Sequence, residues 1–257
     1  MFPARVVKSL TGLSSIQIKK LTPIFSASWL NADIKSGKHA NPDRPGRKMV
    51  FPIKDVLTYI LAYLKTNQTF DALSAMFGVK RSTFYYLVRR GLNVIEMALD
   101  GVGAIPLRDI NSTTVLLAIL RGKKHILLDV TERPIRRPSK GQKKYYSGKK
   151  KRHTVKNQIL SDENKKIIVL SDTELGSTHD FKIFKEQDLK NVLPKNVTTH
   201  VDLGYQGIKD ECPDNIISIP EKKPKNVELT STQKESNMMK SSFRVKVEHA
   251  IGGIKRM

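Results

Sequence analysis

Residues 125–138 read HILLDVTERPIRRP, an apolar run with a single acid, Asp129, set inside it. Ile126, Leu127, Leu128 and Val130 predict a short buried strand, and an ionised group there is costly unless it is paired or holds a metal. Pairing with a base such as Arg133 is the bland alternative. A metal site needs more acids, and two candidates lie downstream, Asp202 in THVDLGYQG and Glu248 in RVKVEHAIGGIKRM. The 24 residues from Arg133 to Lys156 carry eleven Lys or Arg and no acid. Carboxylates near so dense a block of cations point to metal-assisted work on a polyanion.

The whole chain shares this bias. Its 257 residues can hold one large or two modest domains, and 39% hydrophobic residues suffice for a core. A formal charge of +22, from 46 basic against 24 acidic residues, makes nucleic acid the first partner to consider, with an anionic membrane surface as competitor. No window approaches the roughly 18 apolar residues of a membrane span; the best run is Val115–Leu120. Arg5, Lys8, Lys19 and Lys20 interrupt the first stretch, so it offers no apolar core of a signal peptide. The single cysteine, Cys212, excludes an internal disulfide and a cysteine zinc cluster, and suits a reducing cytoplasm.

Upstream of the strand, residues 51–99 are regular and helical. Pro52 starts a helix with Val56, Leu57, Ile60, Leu61 and Leu64 at helical spacing. Thr69 caps a second, with Leu73, Met76 and Phe77 inward, and Gly78 breaks it. A third starts at Ser82 or Thr83 and continues through Phe84, Leu87, Val88 and Leu92. Short helix, Gly-containing turn and longer helix is the layout of a helix-turn-helix, whose last helix reaches base edges in the major groove. Lys80, Arg81, Ser82, Thr83, Tyr85, Tyr86 and Arg89 cluster on that helix and supply phosphate ligands and base-bonding groups. A plain helical hairpin has the same outline, and the net charge favours DNA. Residues 1–50 are less legible. GLSSIQIKKLTPIFSASWL predicts one amphipathic helix with Ile16, Leu21, Ile24, Phe25 and Leu30 inward, and KSGKHANPDRPGRKM a solvated linker or DNA-brushing loop.

Downstream, strands are predicted over 125–131, 153–160 and 166–171, then a helix from His179 to Leu189 capped by Thr178. Strands over 198–203 and 216–219 and a last helix from Gln233 complete a mixed α/β domain, with acids at strand ends and on the late helix. Each acid has a plainer role beside the chemical one. Asp202 before Leu203 and Gly204 suits an Asx turn, Glu248 a helical ion pair with Arg244 four residues earlier, and His179–Asp180 a helix cap. Tyr145 and Tyr146, in the lysine-rich loop, suit stacking on bases or packing.

The runs LLDVTERPIRRP, YYSGKKKRHTVKNQI, GSTHDFKIF, VDLGYQG and RVKVEHAIGGIKR resemble, in order and spacing, the bacterial insertion-sequence transposases of the DDE superfamily, in the fifth insertion-sequence family and its relatives. The resemblance covers roughly Phe51 to Met257. It implies an α/β fold, a ribonuclease H-like mixed-sheet catalytic domain preceded by an all-α helix-turn-helix domain. Asp129 on the first strand, Asp202 after the fourth and Glu248 on the last helix are then the catalytic metal ligands, for Mg2+ with Mn2+ as substitute. Arg244, Glu248 and Lys255 match the family's arginine, glutamate and lysine signature; its leading tyrosine falls on Ser241 here. His179, Asp180, Arg244 and Lys255 are supporting residues, and Lys149, Lys150, Lys151 and Arg152 join the DNA-binding set.

The resulting expectation has three parts: an N-terminal helix and linker over 1–50, a helix-turn-helix domain over 51–105, and a DDE domain over 110–257. The function expected is a DNA transposase, cytoplasmic and nucleoid-associated, that binds terminal inverted repeats and target DNA as a homo-oligomer and cuts and joins strands with two metal ions. The alternative is a catalytically impaired or repurposed transposase that only binds DNA. Glu248 lies nine residues before Met257, and Gly252 and Gly253 intervene; each Gly costs about 1 kcal/mol in a helix interior. That predicts a frayed helix, a C-terminally truncated domain and weak cleavage.

Overall fold

The computed structural model describes residues 2–35, 51–108, 113–187, 189–224 and 228–255, the last three by backbone only. The linker expected over 35–49 lies almost wholly outside the described residues. The chain divides into two compact units at Ile105/Pro106.

The first unit is all helical: α1 (Ala4–Thr11), α2 (Ser15–Lys35), α3 (Ile53–Thr66), α4 (Phe70–Phe77) and α5 (Arg81–Asp100). Local chemistry sets the breaks. Gly12, at φ 75°, closes α1 in the left-handed conformation. Ser14 and Gln17 then exchange side-chain and backbone hydrogen bonds in a capping box that opens α2. Thr69 caps α4 by accepting from the N–H of Ala72 at 3.2 Å, and Gly78, at φ 65°, ends it. Ile18, Phe25 and Trp29 of α2 pack with Val56, Leu57 and Ile60 of α3 and Val94 and Ile95 of α5. A second cluster joins Tyr59, Leu73, Val79, Phe84 and Val88 across α3, α4 and α5.

The N-terminal expectation needs correcting. The predicted helix is α2, but an unpredicted helix, α1, precedes it, and the inward stripe of α2 is Ile18, Phe25, Trp29 and Asp33. Ile16 and Leu30 are exposed, because the stripe that meets α3 and α5 is rotated away from them. Asp33 is buried because Arg90 of α5 pairs with it while stacking its guanidinium 4.1 Å over Trp29. Met76 and Leu64, both predicted inward, are also exposed; each lies in the last turn of its helix.

In the second unit a short helix, α6 (Thr113–Ile119), accounts for the apolar run before the sheet. The strands are β1 (His125–Pro134), β2 (Tyr146–Ser147), β3 (Arg152–Asp162), β4 (Ile167–Leu170), β5 (Glu174–Leu175), β6 (Thr198–His200) and β7 (Ile217–Ser218). β1 and β3 form a long antiparallel pair, from Ile126↔Asp162 to Pro134↔Thr154, and β2, β4 and β5 also pair antiparallel with β3. On β1's other edge β6 runs parallel, Leu127↔His200, and β7 runs parallel to β6. The remaining helices are α7 (Gln142–Tyr145), α8 (Asp180–Glu186), α9 (Leu189–Val192), α10 (Ile208–Glu211) and α11 (Ser231–Lys255).

Strand alternation divides the core between the two faces of this mixed sheet. Ile126, Leu128 and Leu160 join Phe184 of α8 and Leu189 and Val192 of α9 on one face. Leu127 and Ile159 meet Val247 and Ile251 of α11 on the other. A Thr230–Gln233 capping box starts α11. The helix predicted from His179 to Leu189 is two short helices. Its cap is His179, not Thr178: the ring Nδ1 accepts from the N–H of Phe181 at 3.4 Å, and Gln187 is extended. The strand predicted over 198–203 stops at His200, because the next residues turn into a single 3-10 turn, Leu203–Tyr205. Among the described residues no helix is long and apolar enough to cross a membrane.

Candidate active site

Two-residue alternation along β1 carries Asp129 to the same face as Leu127, the face that α11 covers. Arg133 does not pair with it; its Nη2 donates to Asn157 Oδ1 at 2.9 Å. Asp129 Oδ1 accepts from the N–H of Val130 at 2.8 Å. Burial nevertheless pushes its carboxyl up to about 6, with the charges of Asp202 and Asp180 adding to the rise and Arg244 opposing it. A carboxylate held in a place so unfavourable to its charge is a marker of function.

β6 runs beside β1 and ends just before Asp202, which caps the 3-10 turn by accepting from the N–H of Leu203 at 2.6 Å. The Asx-type role read from the sequence is therefore present, and the same Oδ1 lies 3.2 Å from Arg244 Nη1. On α11, Arg244 Nε lies 3.2 Å from Glu248 Oε1 one turn along. The helical ion pair thus extends into a chain, Asp202 to Arg244 to Glu248. A small cleft lined by Asp129, Asp202, Ser218, Lys240 and Arg244 opens between the strand ends and α11.

Asp180 opens α8 on the other side of the sheet. Its Oδ1 accepts from Lys156 Nζ at 2.8 Å in a mostly buried pair, and Lys156 also donates to the carbonyl of Thr178. This acid lies beside the Asp202 turn: a Cβ on Gly204 would be in ordinary contact with it, 3.4 Å from Asp180 Oδ2. All the acids offer hard oxygen donors, the type that Mg2+ or Mn2+ prefers. Among the described residues, no three His, Cys, Asp or Glu side chains gather closely enough to hold an ion as they stand.

Comparison with known proteins decides the family. The profile described as DDE superfamily endonuclease matches residues 128–257, the stretch that contains Asp129, Asp180, Asp202, Arg244 and Glu248. The chain belongs to the DDE endonuclease superfamily. It is 29% identical over 250 residues to the protein named as probable transposase for insertion sequence element IS702 of Microchaete diplosiphon, covering 96% of this chain and 82% of that one. It is 23% identical over 255 residues to a protein described as a transposase for insertion sequence element IS112 of Streptomyces albus G, covering 97% and 83%. No solved structure matches the chain.

The other residues singled out in this DDE-superfamily chain fall in two places. Ser82, Tyr85, Tyr86 and Arg89 share one exposed stripe of α5 at helical spacing, opposite the buried Phe84 and Val88, and Thr83 is half-buried. Lys80 and Arg81 open that helix; Arg81 pairs with Asp71 at 2.9 Å in full solvent, and Arg89 sits over the Tyr85 ring. In the second unit Lys149, Lys150, Lys151 and Arg152 are exposed at the tip of the β2–β3 hairpin. Beside it α7 is anchored through its Lys144 carbonyl, which accepts from Ser177 Oγ at 2.7 Å. Glu132 ties the base of that hairpin. Burial raises its carboxyl, but hydrogen bonds from Ser147 and Thr154 and the charges of Lys156 and Lys150 outweigh this and hold it low. The Lys255 side chain lies outside the described residues.

Sequence reasoning missed Lys156, Lys240 and Tyr205. Lys156 lies within the quoted YYSGKKKRHTVKNQI run, where nothing distinguishes it from its neighbours. Tyr205 is fully buried, its hydroxyl accepting from Gln158 Nε2 at 3.1 Å. The VDLGYQG motif contains it, and a Tyr between two Gly was the available signal.

Proposed function

We propose that this DDE-superfamily protein is an insertion-sequence transposase that binds the terminal inverted repeats of its element and cuts and joins DNA strands. Residues 51–105 act as a helix-turn-helix reader and residues 110–257 as a ribonuclease H-like nuclease domain, with Asp129, Asp202 and Glu248 as the catalytic acids. The observation that carries the proposal is the convergence of Asp129, in the middle of β1, and Asp202, just past the end of its parallel neighbour β6, under a helix that ties Glu248 to Asp202 through Arg244. Within the seven-stranded sheet, the antiparallel run β4–β3–β1 followed by parallel β6 and β7 supports the ribonuclease H-like reading.

Asp129, Asp202 and Glu248 would hold divalent ions, Mg2+ or Mn2+, whose chemistry when bound is to activate the attacking oxygen and stabilise the leaving oxygen of the phosphodiester. The raised carboxyl of Asp129 fits this use, since a nearby dication removes the penalty that burial imposes on its charge. The protein's own groups do the rest. The hairpin cations neutralise phosphates, the exposed stripe of α5 contacts base edges and backbone, and Lys156 keeps Asp180 paired beside the Asp202 turn. A homo-oligomer on DNA, with double-stranded repeat and target DNA as partners, belongs to the same proposal.

The test is nicking of duplex DNA carrying the element's terminal repeat, with and without Mg2+. Asp129→Asn, Asp202→Asn and Glu248→Gln should each abolish cleavage while DNA affinity stays nearly intact. Cleavage by any of them at the parent rate would overturn the site. DNA binding by the parent with no cleavage would leave the alternative, a protein that only grips DNA.

A further inference from the structure

Arg244 stands between two of the acids. Its Nη1 lies 3.2 Å from Asp202 Oδ1 and its Nε 3.2 Å from Glu248 Oε1, so one guanidinium spans a carboxylate beyond β6 and another on α11. Among the described residues no other base pairs with either acid. Its charge also acts on Asp129. A divalent ion taken by these carboxylates would compete with the guanidinium for Asp202 Oδ1 and Glu248 Oε1.

Resting on the reading that these acids form a metal-dependent site, we propose that Arg244 is a resident counter-cation. In the metal-free protein it props Asp202 and Glu248 apart and neutralises them, and loading the ion exchanges one cation for another. Exposure distinguishes Arg244 from Lys156, the base paired with Asp180: Lys156 is 12% exposed, whereas Arg244 is 45% exposed. Half-exposed ion pairs are weak and screened by salt, so this one can open without dismantling the helix. Val247 and Ile251, not Arg244, fix α11 to the sheet. Arg244 is thus a positioning residue that sets how tightly the acids take an ion.

The experiment is a titration of the full chain with Mn2+ alone, without DNA, read by calorimetry and by the free-Mn2+ electron paramagnetic signal. Arg244→Gln should bind Mn2+ about tenfold tighter than the parent, the combined worth of two exposed ion pairs. It should also melt lower without metal and gain more from Mn2+. Arg244→Lys, which keeps the charge but loses the two-pronged reach, should fall between the two; it also serves if the Gln variant misfolds. A folded Arg244→Gln with parental or weaker Mn2+ affinity overturns the inference, as does a Lys variant equal to the parent. Should neither the parent nor any variant bind Mn2+, the metal-site reading itself fails along with it.

Discussion

Asp129 is where stability and chemistry conflict. Its ordinary value of 3.8 rises to about 6 in the fold, so the folded protein holds its proton more tightly than the unfolded chain does between those limits. The stabilisation this gives is present below pH 4 and is lost as pH rises through 6, a difference on the order of 2–3 kcal/mol. Asp129→Asn should therefore make the metal-free protein more stable at pH 7 by an amount of that order and leave it unchanged at pH 4, measured by urea denaturation. Equal stability of the two proteins at pH 7 would show that the carboxylate is solvated after all. His200 runs the other way. Burial, then the charges of His125 and Lys246, hold its ring down to about 4 from 6.5, and Phe243 stacks on it at 4.2 Å. The stability it contributes as a neutral group is present above pH 6.5 and falls away as the unfolded chain protonates toward pH 4. The two opposed slopes partly cancel in the parent. In Asp129→Asn the acid limb of His200 should stand alone, visible as a steeper loss of stability between pH 6.5 and 4.

Among the elements, the basic hairpin depends on one glycine, and the proposed role of α5 depends on its charges. Gly176 is buried where a Cβ would lie 2.5 Å from the Thr154 carbonyl and 2.7 Å from the Tyr145 carbonyl. Backbone atoms cannot rotate aside, so Gly176→Ala should destabilise by about 1–3 kcal/mol and loosen α7 and the hairpin together. Thermal melting and DNA affinity should fall in parallel; an Ala variant that melts with the parent would refute the packing argument. For α5, Arg81→Ala and Arg89→Ala should each lower the slope of log affinity against log salt by roughly one. Unchanged affinity and slope would make the helix structural and leave DNA binding to the hairpin. Element by element, caps and breakers were the legible part. Pro52, Thr69 and Gly78 bound their helices as read because each acts on its own backbone neighbours. The inward face of α2 was illegible, since the decisive partner of Asp33 is Arg90, far along the chain. The acids could be picked out singly for the same local reasons. The Arg244–Glu248 pair follows from i,i+4 spacing, but the Arg244–Asp202 and Lys156–Asp180 pairs depend on contacts across the fold that no spacing encodes.

At the scale of the molecule, each unit has its own core, and an excess of 22 positive charges makes any grip on DNA strongly dependent on salt. Within the second unit, contacts differ greatly in the length of chain they close. β1, β3 and β4 follow one another as antiparallel neighbours, while β6 joins β1 across a long stretch of chain, from His125↔Thr198 to Leu127↔His200, and α11 arrives from residue 231 onward. Short closures form before long ones. In pulse-labelled hydrogen exchange, amides of β1 and β3 should gain protection before those of β6 and α11; simultaneous protection would argue against this order. In that order the basic hairpin matures early and the carboxylates meet late, so, on the proposed function, a newly made chain would cling to nucleic acid well before it could damage it.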